Sequence, residues 1–219
     1  MVTKGKGERA RREEDKLARR EALLDSALRL WDEQSYTDLT MADIARGAGL
    51  AKSSVYLYFQ TKEEVFLAAL ERLLGGWFGD VNTALDEART TGPAEVAALL
   101  VQSLDSREHM IRLLAILNGV LEQNIPAEVG VGFKARLMDH LIRTGARLER
   151  CLPGLPPGHG TRVLLHLNAL VVGLQQVTAE TPALRAAAGD PALAGLVLDF
   201  RAELEAALTA LLHGSLREE

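Results

Sequence analysis

Apolar residues recur along almost the whole chain at intervals of three and four, and no stretch alternates apolar with polar positions for long enough to read as a strand. The pattern predicts an all-α protein. Its first helix runs from about Glu14 to Glu33, with Leu24, Ala27, Leu28 and Trp31 on one face. A second begins at Thr40, whose hydroxyl can cap the helix while Asp43 occupies the box position for the reciprocal bond, and it stops near Gly49. A short third helix covers about Lys52 to Phe59. A fourth opens with the same capping pattern, Thr61 and Glu64, ahead of Val65, Phe66, Ala69 and Leu73.

Beyond Gly75 and Gly76 the composition shifts to Leu, Ala and Val, and helices are predicted near 77–90, 93–104, 106–122 and 127–150. A Pro/Gly-rich break at Leu152–Gly160 precedes a long apolar helix at about 161–179, and Thr181–Pro191 separates that from a last helix at about 192–213. The chain is thereby divided into an N-terminal arm at 1–17, a small helical domain at 18–75 and a larger helical body at 76–219.

Composition narrows the class. With 219 residues, 47% hydrophobic and 25% charged, the chain suits a folded globular subunit rather than a disordered one. The longest apolar candidate, Val163–Val177, is interrupted by His166, Asn168, Gln175 and Gln176 and falls short of the roughly 18 apolar residues of a membrane span. No membrane partner is expected. The N-terminus is polar and basic, without the apolar segment of a secretion signal, and Cys151 is the only cysteine, so the expectation is a cytoplasmic protein without a disulfide. One thiol offers no metal-binding pair, and His109, His140, His159, His166 and His213 show no close ligand spacing. No metal or other cofactor is expected.

The net charge of −5 argues at first against a nucleic-acid partner. Residues 1–62, however, hold 12 Lys and Arg against 10 Asp and Glu, and the remainder holds 13 against 20. The positive end is the N-terminus. There Lys4, Lys6, Arg9, Arg11 and Arg12 precede any strong apolar pattern and read as a flexible arm, either a solubilising tail or a phosphate-seeking one.

The segment Thr40–Phe59, TMADIARGAGLAKSSVYLYF, has the spacing of a helix-turn-helix. Ala45 is small where two helices approach, and Gly49 four residues later can take the left-handed conformation of a tight turn. Ile44, Leu50 and Val55 can fill the joint, while Trp31 and Phe59 belong to the small domain's core. The second helix of the pair then projects Lys52, Ser53, Ser54, Tyr56 and Tyr58 outward, a donor-rich group at the scale of a DNA major groove.

On these residues the chain resembles the tetracycline-repressor (TetR-like) family of bacterial regulators, through DIARGAGLAKSSVYLYFQTKEEVF at Asp43–Phe66. The signature elements are Ile44-Ala45, Ala48-Gly49, Tyr56, Tyr58-Phe59, and Lys62 followed by acids and an apolar pair. The likeness covers roughly residues 18–75, with a weaker one in the body behind. It departs at Ala51, where the family often has a capping Ser, a loss of about 1 kcal/mol on the usual cap scale. The resemblance implies an N-terminal three-helix helix-turn-helix DNA-binding domain and a larger C-terminal helical ligand-binding and dimerisation domain. It further implies that Thr40, Lys52, Ser54, Tyr56, Tyr58 and Lys62 touch DNA. Lys62 and Thr40, at helix starts, are expected to grip phosphates, and Lys52, Ser53 and Ser54 to reach base edges.

The body shows no nucleophile elbow, phosphate loop or metal motif, so an enzyme is not expected. By resemblance it binds a small effector that alters DNA affinity. Candidate lining residues are Trp77, Leu114, Leu117, Asn118, Leu121 and Phe133, followed by Leu137, His140, His166, Leu170 and Gln175, each with ordinary core packing as the alternative. Asn118 and His166 stand out because a buried polar group needs a partner, which a ligand or a backbone carbonyl can supply.

The helix Arg162–Val177 is apolar on nearly every face and is expected to be covered on two sides. The last helix offers Leu193, Leu196, Val197 and Phe200, then Leu204, Ala207, Leu208 and Leu211. These two helices either close their own subunit or, from two chains, form the four-helix dimer interface that the resemblance implies. The expected protein is a homodimeric repressor on a near-palindromic double-stranded operator, released by a small, mostly apolar effector. The alternative reading is a same-fold activator, or a regulator with no effector.

Overall fold

The computed structural model describes residues 4–88, 91–179, 181–187, 189–190 and 192–216. Among them the fold is helical, with no strand. The chain divides into two compact units: one comprises residues up to Arg72 together with Leu117–Gly130, and the other comprises Leu73–Ile116 and Val131 onward. The first is called the head below and the second the body.

The head contains α1 (Lys4–Glu33), α2 (Met41–Gly47), α3 (Lys52–Val55) and the start of α4 (Lys62–Glu87). Leu23, Leu24, Ala27, Leu28 and Trp31 form the buried stripe of α1, as its periodicity predicts. Trp31 and Tyr36 both pack against Phe66, with ring centroids 5.4 and 5.1 Å away. Arg72 on α4 ties back to α1 through Glu21 and Asp25, each at 2.7 Å. The head also takes in Leu117–Gly130, which a linear division at residue 75 assigns to the body. That segment holds a π-helical turn, Leu117–Leu121, and a 3₁₀ turn, Glu122–Asn124.

Three elements depart from the sequence reading. First, α1 begins at Lys4, so the backbone of the basic arm is helical rather than flexible; the side chains of Lys4, Lys6, Arg9 and Arg12 lie outside the described residues, and Arg11 is exposed. From Glu8 onward Arg, Glu, Lys and Leu without a proline, with Asp15 four residues before Arg19, favour the helix, against the cost of Gly5 and Gly7 in its first turns and without an apolar face. Second, α4 continues through Gly75 and Gly76 to Glu87. Burial of Leu74, Trp77 and Phe78 on either side outweighs the roughly 1 kcal/mol that each helical glycine costs. Third, the last helix, α10 (Phe200–Ser215), starts eight residues later than expected, where the Asp199 carboxylate accepts from the Ala202 amide at 2.7 Å.

The body holds the rest of α4, then α5 (Pro93–Gln102), α6 (Glu108–Ile116), the greater part of α7 (Ala127–Cys151), α8 (His159–Val177), α9 (Pro182–Ala187) and α10. Proline at N1 starts α5, and Gly158, at φ +82°, turns the chain into α8. α10 packs on α5 and α8, and α6 also packs on α8. Asp86 on α4 bonds Arg147 at 3.0 Å and Arg150 at 2.8 Å on α7.

One face of α8, Val163, Leu164, Leu167 and Val171, is buried. The opposite face, with Leu165, His166, Ala169, Gly173 and Gln176, is open to solvent in the single chain. The two-sided cover expected for this helix is therefore present on one side only. Leu193, Leu196 and Val197 precede α10 and are exposed, so the buried stripe of α10 is Leu204, Leu208 and Leu212. Among the described residues no helix is long and apolar enough to cross a membrane, and no group of three His, Cys, Asp or Glu could hold a metal ion.

Candidate nucleic-acid interface

The site is built on α2, the turn after it, α3 and the start of α4. Thr40 caps α2 reciprocally: its hydroxyl accepts from the Asp43 amide at 3.2 Å while the Asp43 carboxylate accepts from the Thr40 amide at 3.1 Å. The Thr40 hydroxyl also donates to Asp43 at 2.5 Å, which with Arg46 beside it lowers the Asp43 pKa. Ser26 on α1 donates to the Ile44 carbonyl at 2.9 Å, fixing α2 to the head core.

α2 ends in a Schellman motif. Leu50 N–H bonds the Ala45 carbonyl at 2.9 Å and Gly49 N–H the Arg46 carbonyl at 3.1 Å, with Gly49 at φ +69°. A side chain at Gly49 would meet no neighbour, so the conformation alone demands glycine. Ile44, Ala45 and Val55 are buried at the joint, and Phe59 closes it.

α3 is shorter than predicted. It spans Lys52–Val55, after which Tyr58 and Phe59 amides both bond the Val55 carbonyl, at 2.9 and 3.0 Å, and the chain turns. Ala51 stands at the N-cap and supplies no side-chain bond. Lys52, Ser53 and Tyr56 are exposed, while Ser54 and Tyr58 are half-buried. The structure thus gathers Lys52, Ser53, Ser54, Tyr56 and Tyr58 on one short segment. Residues 47–62 contain Lys52 and Lys62 and no acid.

Lys62 departs from expectation. Its ammonium donates to the Tyr36 carbonyl at 2.8 Å and the Leu39 carbonyl at 2.9 Å, and lies 4.6 Å from the Tyr36 ring centroid. In this structure it pins the loop that leads into the Thr40 cap, rather than projecting to solvent. The Tyr36 hydroxyl donates to Glu63 at 3.1 Å, and burial, reinforced by that carboxylate, pushes the phenol well above its ordinary pKa.

Sequence reasoning missed Leu57. It is 79% exposed, the most of any large hydrophobic side chain among the described residues, and sits between Tyr56 and Tyr58. The signal was the four-residue spacing of Val55 and Phe59: both are buried, so the residue midway between them faces out.

The candidate effector residues are divided between the two units. Leu117, Asn118 and Leu121 fall in the head, the others in the body. Asn118 and His166 are both exposed, so the argument from buried polar groups fails for them. For Asn118 the wide π turn shifts the helical phase, and His166 lies on the open face of α8. Trp77 is buried and donates its indole N–H to Ser103 at 2.8 Å, and His140 stacks on Phe78 with centroids 4.9 Å apart. Leu117, Leu121 and Phe133 are buried, and Leu114, Leu137 and Leu170 are half-buried. Gln175 lines a cleft of about 410 Å³ in the body, walled by Val101, Leu104, Ile111 and Phe200. The Asp105–Arg201 ion pair, at 2.7 Å, stands at its edge.

A helix held by a reciprocal cap, a left-handed glycine turn and a short solvent-facing helix together define a helix-turn-helix protein. The chain belongs to the tetR family: residues 23–69 match the profile described as "Bacterial regulatory proteins, tetR family", and residues 71–219 match "Tetracyclin repressor-like, C-terminal domain". Regulators of this family bind operator DNA and dimerise. The chain is 30% identical over 161 residues to the HTH-type transcriptional regulator BetI of Agrobacterium fabrum (strain C58), covering 71% of this chain and 74% of that one. It is 37% identical over 84 residues to BetI of Rhizobium meliloti (strain 1021), a match spanning 38% of this chain and 40% of that relative's length. Among solved structures, the fatty acid degradation regulator FadR from Bacillus halodurans has the same fold, with a TM-score of 0.57, 20% identity and coverage of 92% and 97% of the two chains.

Proposed function

We propose that the chain is a homodimeric repressor that reads a near-palindromic operator through α3 and the turn after it, and is released by a small effector bound in the body. The acid-free segment 47–62, held outward by the Schellman turn, carries the reading. Lys52 and Ser53, both exposed, are the base-edge candidates; Ser54, Tyr56 and Tyr58 flank them. Thr40 acts as the cap of α2. Lys62 acts as a positioning residue, because its ammonium is already engaged by backbone carbonyls.

Dimerisation is assigned to the open face of α8, where Leu165, Ala169 and Gly173 stay uncovered beside His166 and Gln176 and small residues allow a second helix to approach. The effector site is assigned to the cleft among α5, α6, α8 and α10, whose apolar wall is joined by Gln175 and by the charged Asp105, Glu108, Arg112 and Arg201, a lining that suits a molecule with an apolar body and a polar or charged end. The test is selection of duplexes from a random-sequence library by the full chain, followed by titration at several salt concentrations. A specific, near-palindromic duplex whose affinity falls steeply with salt is expected. Binding with no sequence preference refutes the proposal.

A further inference from the structure

We propose that Leu57 reads a thymine methyl group in the major groove, a specificity contact within the DNA interface assigned above and resting on that assignment. A singly exposed leucine needs no explanation by itself. Leu57, however, is not placed by chance. Buried Val55 and Phe59 anchor the chain on both sides of it, and the Gln60 side-chain amide donates to the Tyr56 carbonyl at 3.1 Å, closing the turn. Lys52, Ser53 and Tyr56 in the same segment are exposed as well, and residues 47–62 contain no acid; beyond them, the Glu64 carboxylate is engaged by the Gln60 amide at 2.8 Å.

In that setting the chemistry selects one target. A base pair presents donors, acceptors and, at thymine alone, an apolar methyl group to the major groove. Leucine offers no hydrogen bond. Against guanine, cytosine or adenine it would cover polar atoms without replacing their water, an unfavourable exchange. Against thymine it buries methyl on methyl. Lys52 and Ser53 carry polar readout, and Leu57, more exposed than Tyr56, supplies the purely aliphatic surface beside them.

The experiment uses the full chain and the duplex that it selects from a random-sequence library. Each thymine is replaced in turn by deoxyuridine, which deletes only the methyl, and affinity is measured for the wild type and for Leu57→Ala. At one thymine per half-site the wild type should lose about fourfold, the worth of one buried carbon. Leu57→Ala should bind the thymine and uracil duplexes equally there, and its melting curve should match the wild type because Leu57 covers no core. A selected duplex that tolerates deoxyuridine everywhere, or a penalty that persists in Leu57→Ala, overturns this inference and leaves the DNA-binding reading intact. So does a Leu57→Ala variant that changes oligomeric state while keeping the methyl preference, which makes Leu57 a protein contact. If the wild type selects no sequence at all, the DNA-binding reading fails and this inference with it.

Discussion

Gly145 on α7 and Gly160 on α8 touch backbone to backbone: a Cβ on Gly145 would fall 2.5 Å from the Thr161 amide nitrogen, and one on Gly160 would come closer still to the Gly145 carbonyl. The contact is a crossing that only two glycines permit, because neither wall is a side chain that can swing away. Gly160→Ala or Gly145→Ala should therefore destabilise the body by about 1–3 kcal/mol or more. Gly79→Ala on α4, where an added methyl meets nothing, should instead add about 0.5–1 kcal/mol. Urea unfolding of the three variants decides this.

Tyr36 makes the head sensitive to alkali. A phenol whose folded-state pKa stands above its unfolded value is protonated in both states below about pH 10, so its contribution is fully present there. As pH climbs past the unfolded value the unfolded chain ionises first, and stability is lost toward the folded value. Stability of the wild type should therefore fall above about pH 10 more steeply than that of Tyr36→Phe. Thermal melts across that range measure it, and parallel curves would remove Tyr36 from the account.

Lys62 discriminates between gripping phosphate and holding a loop. If the bonds to the Tyr36 and Leu39 carbonyls are its task, Lys62→Met should lower head stability by about 1–2 kcal/mol and weaken every duplex alike. The salt dependence of binding should keep its slope. A lost phosphate contact would instead reduce that slope by about 0.9.

Much of this architecture was legible because it depends on neighbours in sequence. The Thr40–Asp43 box, the Gly49 turn and the Leu24–Trp31 stripe are short-range patterns, and each stands where the spacing puts it. What sequence missed depends on contacts distant in the chain. The destination of the Lys62 ammonium is a loop 23 to 26 residues away, and a charge at a helix start reads as available until that loop is in place. The π turn at Leu117 has no compositional signature, so regular helical spacing turns Asn118 inward. The glycine pair at 75–76 reads as a break in sequence because what holds the helix through it is the burial of Leu74, Trp77 and Phe78, a tertiary effect.

Two leucines distinguish the proposed dimer seam from the subunit core. Leu165 is 46% exposed on the open face of α8, whereas Leu204 on α10 is 0% exposed within its own chain. Leu165→Glu should yield monomers of unchanged helicity, since the charge reaches water once the partner leaves. Leu204→Glu should unfold the chain, because an unpaired carboxylate has no route out. Sedimentation velocity with circular dichroism tells the outcomes apart, and a dimeric Leu165→Glu protein would move the seam elsewhere.

If the cleft lined by Gln175 holds the effector, its coupling to the operator is reciprocal. An effector that releases the operator must bind the DNA-free state more tightly, and operator DNA must then weaken effector binding by the same factor, commonly 5- to 150-fold for about 1–3 kcal/mol. Small amphipathic molecules that raise the melting temperature of the full chain are the candidates to titrate, since a ligand confined to the folded state stabilises it in proportion to its occupancy. Gln175→Leu keeps the shape of the wall and deletes its amide, so it should weaken such a ligand while leaving operator affinity unchanged. A ligand bound equally well with and without the selected duplex shifts nothing, and if every ligand behaves so, the chain is a DNA-binding dimer without a sensor.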